Sequence, residues 1–214
     1  MKALIKKINF KLLIIITSLV LFEAVVFFIT KPFVQNPYVL GSTLDAKIPF
    51  VPQFIWIYIF WYLMLILVPY YIAKKNPPSF YKYAITFAIT TVLCGIIFVV
   101  FPNTVTRANI QESDIASKLV QIIYTLDNPA INCFPSIHCL FSYLFIFAAL
   151  DSKENIPLYI KVIIIVLSIL VVLSTLFIKQ HVVYDAIGSL IIGSIVWLIV
   201  NKFKLYDLLN KILK

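Results

Sequence analysis

Six apolar runs divide the chain, at about residues 12–30, 53–73, 83–101, 134–150, 162–178 and 182–200. None shows the strict alternation of a membrane barrel strand. Runs of this kind are read as helices, because a helix satisfies its own backbone groups where no water can do so. Roughly 20 apolar residues suffice to cross the hydrocarbon core. The fourth and fifth runs are short, near the lower limit. The pattern predicts an all-α polytopic membrane protein, a six-transmembrane-helix bundle. Two polar intervals are long. The interval 31–52 holds Pro32, Pro37, Pro49 and Pro52 and is expected to be mostly irregular. The interval 102–133 starts polar, but Ile115, Leu119, Ile122 and Leu126 recur at helical spacing. They predict a short helix lying on the membrane surface.

Composition agrees. The 214 residues are 62% hydrophobic and 13% charged, whereas a soluble domain is nearer half apolar and a quarter charged. Lipid must be the solvent for much of this surface. A six-helix bundle uses the whole length, so 1–214 reads as a single membrane domain. The basic segment 202–214 is expected to rest on the inner leaflet without a catalytic role.

The formal charge of +9 would raise nucleic acid as a partner in a soluble protein. Here the lysines flank the apolar runs, which is the positive-inside pattern, and no nucleic-acid partner is expected. With the N-terminus inside, thirteen of the eighteen basic residues fall on inner segments. Only Lys31, Lys47, Arg107, Lys118 and Lys179 fall outside. The bias puts both termini in the cytoplasm of a multi-pass protein. Lys2, Lys6, Lys7 and Lys11 precede the first run as in a signal peptide. Lys31-Pro32 follows Thr30 without a small-residue cleavage pattern, so the run is expected to be a retained helix. Cys94, Cys133 and Cys139 have no metal spacing. They read as reduced packing residues, with a Cys133–Cys139 bridge left open. Trp56, Tyr58, Trp61 and Tyr62 read as interfacial anchors and packing groups.

The chemistry concentrates at the outer helix ends. The only two histidines, His138 and His181, open the fourth and sixth helices on the same side of the membrane. Asp185 follows His181 by four residues, on the same helical face. A carboxylate there is costly unless partnered. By accepting from one ring nitrogen it fixes the tautomer and leaves the other nitrogen a free lone pair, as a nucleophilic histidine requires. Arg107, the only arginine, and Lys179 lie on the same side and suit phosphate oxygens. Ser136 stands at the N-terminus of the fourth helix, where free N–H groups favour an anion. Ser174 and Thr175 end the fifth.

These residues carry a resemblance. Pro135-Ser136-Ile137-His138 resembles the P-S-G-H element of the PAP2 superfamily (phosphatidic acid phosphatase type 2). Ser174-Thr175, five residues, His181, three residues and Asp185 resemble its S-R-x5-H-x3-D element. Arg107 takes the place of the arginine in K-x6-R-P. The stretch Leu44-Asp45-Ala46-Lys47-Ile48-Pro49-Phe50, with the Trp/Tyr-rich helix after it, is similar to the branch containing inositol phosphotransferases. The resemblance covers about residues 44–200.

It implies that His181 attacks phosphorus to form a phosphohistidine, Asp185 orients it and His138 protonates the leaving oxygen. Arg107, Lys179 and the hydroxyl or backbone groups at Ser136, Ser174 and Thr175 would hold phosphate oxygens. No cofactor or metal is implied. The chain departs from the family pattern at Val100, where the family has Lys, and at Ala108, where it has Pro. It departs again at Ile137, where it has Gly, and at Thr175, where it has Arg. Two family cations are therefore missing, and Lys179 is the expected substitute.

The leading reading is an integral plasma-membrane lipid phosphatase. Its substrate would be an isoprenoid pyrophosphate, phosphatidic acid or a similar lipid, cleaved at the extracytoplasmic face; the compact chain reads as bacterial. A phosphotransferase passing a phospho-headgroup to a lipid alcohol is the runner-up. An inactive lipid-binding relative, a small transporter, and a metal site built from His138, His181 and Asp185 stand behind them. Glu23, in the first run, reads as a buried acid bonded to a hydroxyl or water ahead of a proton relay. Gly188, Ser189, Gly193 and Ser194 read as close helix packing. Glu112, Asp114 and Asp127 read as solvated loop charges.

Overall fold

The computed structural model describes residues 9–111, 114–207 and 209. The expectations for Lys2, Lys6, Lys7, Glu112, Lys211 and Lys214 lie outside them. Each of the six apolar runs becomes a helix: α1 Phe10–Thr30, α3 Ile55–Lys75, α4 Pro77–Val100, α6 Ile137–Asp151, α7 Leu158–Phe177 and α8 Val183–Lys202. Two shorter helices, α2 Thr43–Lys47 and α5 Ile115–Leu126, lie in the two long intervals. The chain is an all-α polytopic membrane protein. Five helices are long and apolar enough to cross a membrane.

The exception is α6, with 15 residues. Its rise is about 22 Å, short of a hydrocarbon core of about 30 Å. It packs against α3, α4, α7 and α8, and Leu140, Phe141, Leu144, Phe145 and Ala148 are fully buried. A helix wrapped by protein need not match lipid thickness. The irregular segment leading into it is satisfied inside the protein. Cys133 and Phe134 donate their N–H groups to Asn103 Oδ1 at 2.9 and 2.7 Å, and Thr104 bridges Ile131. Non-helical backbone at such depth is tolerated under that condition.

α1 is peripheral. It packs on α3 and α4 and turns Phe10, Ile14, Leu21, Val25, Phe28 and Ile29 outward, a surface that lipid must cover. It comes close to α4 at Gly95, where an added Cβ would stand 2.6 Å from Val26 Cγ1.

The interval 31–52 is more ordered than its prolines predict. Tyr38–Leu40 (β1) pairs in parallel with Asn103–Val105 (β2), and Ser42 caps α2 in a reciprocal pair with Asp45. α5 forms as the 3.6-residue periodicity predicts. Ile115, Ile122 and Leu126 are exposed, Val120 and Tyr124 face the protein, and the Asp114 carboxylate caps it by accepting from Ala116 and Ser117. Cys94, Cys133 and Cys139 are all free and buried.

Candidate active site

The turn between α7 and α8 places His181. Thr175 O accepts from both Gln180 N (2.9 Å) and His181 N (3.1 Å), closing the end of α7. Lys179 supplies the left-handed residue, with φ 54°, that such a helix terminus uses. Val182 then caps α8. Its N–H donates to Asp185 Oδ2 (3.1 Å), which is also 3.0 Å from His181 Nδ1. Asp185 is fully buried. The i, i+4 pairing expected from the sequence is therefore present. With Nδ1 facing the carboxylate, Nε2 is the nitrogen left for chemistry.

His138 is brought to the same place from α6. Its ring centroid lies 5.8 Å from that of His181. Tyr58 stacks on it at 4.5 Å, Trp61 packs against it at a tilt at 4.2 Å, and Tyr62 meets it edge-on at 6.1 Å. The packing half of the reading of the α3 aromatics holds for Tyr58 and Trp61, and its object is a histidine, while Trp56 is exposed. His138 Nε2 is shut off from solvent without a hydrogen-bond partner.

The two histidine-bearing segments are bound together through α8. Ser189 Oγ lies 2.6 Å from Asp185 O and 2.8 Å from Ser136 O. Gly188 makes this approach possible, since an added Cβ would stand 2.3 Å from the Phe134 ring. Small residues let backbones meet in membranes for this reason. Ser189 thus contributes a bond as well as small size.

The three hydroxyls make local bonds. Ser136 Oγ caps α6 by accepting from Cys139 N at 3.3 Å. Ser174 Oγ donates to Val171 O and Thr175 Oγ1 to Val172 O, at 2.7 and 2.8 Å. All three residues are buried. They shape the two helix ends that carry the histidines.

The cations are arranged around a residue the sequence did not single out. Asp127 is not a solvated loop charge. Its Oδ1 pairs with Lys31 Nζ at 3.0 Å, and its Oδ2 accepts from Arg107 Nη2 at 2.6 Å and Gln180 Nε2 at 2.8 Å. Arg107 also donates to Tyr124 O at 2.8 Å and lies over the Tyr124 ring. The Tyr124 hydroxyl donates to Ile178 O at 2.5 Å, and burial lifts its pKa to about 12. Lys179 donates to the carbonyls of Asp45 (2.8 Å) and Ile48 (2.5 Å). Burial pushes its pKa below the ordinary lysine value, with Asp45 pulling the other way.

His181 lines two spaces. One is a cavity of about 270 Å³ shared with Glu23, Lys31, Tyr62, Asp127 and His138. The other is a groove of about 980 Å³ shared with Ser42, Asp45, Arg107, Lys179 and Tyr184. Among the described residues, no three His, Cys, Asp or Glu side chains come close enough to hold a metal ion.

A paired histidine–carboxylate, a second histidine and a cluster of cations thus lie together at one end of the helix bundle. The family model of the PAP2 superfamily matches residues 17–199, and the chain belongs to that superfamily, whose membership points to phosphatase or phosphotransferase activity. No curated protein and no solved structure matches it.

Proposed function

We propose that the protein is a lipid phosphatase working without a metal, releasing phosphate from a lipid mono- or diphosphate through a phosphohistidine on His181. The observation that carries this reading is the contact of Asp185 with His181 Nδ1, beside a second histidine at 5.8 Å. Nε2 of His181 attacks phosphorus. The P–O bond to the lipid breaks, and His138 gives its proton to the departing oxygen. Water then attacks the phosphohistidine, His138 takes the water's proton, and inorganic phosphate leaves. A positioned acid–base of this kind contributes about 10²–10⁴-fold.

Lys31, at the end of α1, lines the cavity with both histidines. It stands in for one of the cations missing at Val100 and Thr175. Arg107 and Lys179 approach from the groove side. Lysine has three donors, so Lys179 keeps one beyond its two carbonyl bonds. The bound phosphate competes with Asp127 for Lys31 and Arg107. The N-terminal amides of α6, which Ser136 caps, add dipole to the same point.

The lysine bias places this end outside and both termini in the cytoplasm, so the reaction runs at the extracytoplasmic face of a cell membrane. Phosphoryl transfer to an alcohol is the second reading. The groove beside His181 favours it, because it has room for an acceptor larger than water.

The experiment is phosphate release by purified protein in detergent, with chelator present, over a panel of lipid mono- and diphosphates, beside His181→Ala. The expected result is release that the substitution abolishes. Equal release by both proteins would exclude His181 as the nucleophile. No release by either would discard hydrolysis and leave headgroup transfer to be assayed.

A further inference from the structure

Glu23 has no part in the reaction above, yet it lines the same cavity as His138 and His181. It sits near the middle of α1, a helix whose neighbouring side chains at Leu21, Phe22 and Val25 face outward. No hydrogen bond or ion pair from the described residues reaches its carboxyl. No hydroxyl among the described residues bonds it, and Thr30, seven residues further along the helix, turns its own hydroxyl back onto the Val26 and Phe27 carbonyls. An intramembrane acid is costly and is kept where something pairs with it. Ala24, Phe27 and Phe28 on the same helix line the cavity beside it, and Tyr62 on α3 adds one hydroxyl; a plain hydrocarbon tail would need no carboxyl there.

The missing partner is therefore expected on the occupant. Charged or neutral, a carboxyl group accepts hydrogen bonds. At about 270 Å³ the cavity is small for a ligand pocket. A lipid whose phosphorus meets His181 and whose body lies in this cavity passes Glu23.

We infer that Glu23 is a specificity-determining residue that selects lipid phosphates bearing a hydrogen-bond donor, a hydroxyl, amide N–H or amine, within a few bonds of the phosphate. Polyprenyl phosphates carry no such group and gain nothing from it. The inference rests on the phosphatase reading and narrows its substrate class.

The test compares three substrates: a monoacylglycerol phosphate with a free hydroxyl, its O-methyl ether, and a polyprenyl phosphate. Each is assayed with the wild type, Glu23→Leu and Glu23→Gln. The wild type should prefer the hydroxyl lipid over its ether by about tenfold in kcat/KM, mostly through KM, as one hydrogen bond supplies. Glu23→Leu should erase that preference and leave polyprenyl phosphate unchanged, while Glu23→Gln should retain most of it. A wild type without preference, or a preference that survives Glu23→Leu, overturns the inference. So does an equal loss of kcat on all three lipids, which would mark Glu23 as a proton carrier. Should the wild type hydrolyse none of them, the phosphatase reading fails separately. The same preference is then read from lipid binding, by quenching of tryptophan fluorescence, and its absence there rejects the role of Glu23.

Discussion

At the scale of single residues, the site rests on a few charges held in fixed places. The His181–Asp185 pair was legible because both members lie one helical turn apart, a spacing that survives any arrangement of the other helices. The Asp127 hub was not. Its partners Lys31, Arg107 and Gln180 come from three different loops, and Lys31 is 96 residues away. No local period encodes such a meeting, so Asp127 read as a loop charge and Lys31 as one of five outer basic residues. The hub makes a prediction that separates the two candidate cations. Lys31→Met should raise KM for a lipid phosphate by about 10–100-fold, the cost of a lost charged hydrogen bond. Lys179→Asn, which suits the left-handed backbone, should cost less, because that ammonium is already held by Asp45 and Ile48. Steady-state kinetics on the two variants decides between them. Asp185→Asn keeps the shape but presents Nδ1 with an amide in place of a carboxylate. Its kcat should fall while its thermal unfolding temperature stays near the wild type's.

At the scale of elements, the site depends on how closely α8 meets the turn before α6. Gly188 and Ser189 were legible as small residues, and their packing role holds. What the sequence could not show is that the surface they fit is Phe134 and the carbonyl of Ser136. Gly188→Ala must displace the Phe134 ring. Overpacking of this kind costs about 1–3 kcal/mol, so the unfolding temperature in detergent should drop. Activity should drop further, because the shift moves His138 relative to His181. Ser189→Ala removes the hydroxyl whose one proton is shared between the Asp185 and Ser136 carbonyls, without adding bulk, and kcat should fall with little change in KM. The aromatic run of α3 was legible only in part, for a related reason. Composition marks Tyr58 and Trp61 as membrane-interface residues, but only the bundle reveals that their inward faces clamp His138. Trp61→Leu should therefore lower kcat rather than stability alone.

At the scale of the whole molecule, the six-run pattern gave the helix count and order. Lipid forces each long apolar stretch into a helix, so little else competes. The short fourth run is also explained: α6 is sheathed by four neighbours and never has to span by itself. The parallel pairing of Tyr38–Leu40 with Asn103–Val105 was hidden, because its partners lie in two polar intervals with no alternating pattern. Belonging to the PAP2 superfamily supplies the class of chemistry, while the orientation in the membrane rests on the distribution of lysines. A cysteine introduced at exposed Leu44, near Lys179, should react with an impermeant maleimide added outside intact cells. One introduced at Asn201, at the other end of α8, should react only after permeabilisation. The reverse pattern would turn the topology over.

The central claim is that His181 carries the phosphoryl group. The most direct measurement is rapid quenching of the enzyme during turnover, under alkaline conditions that preserve phosphohistidine, followed by peptide mass spectrometry. A phosphoryl adduct on His181, absent from His181→Ala and from enzyme without lipid phosphate, is the predicted result. Turnover by an enzyme that never shows the adduct, with His181→Ala still active, would contradict the account.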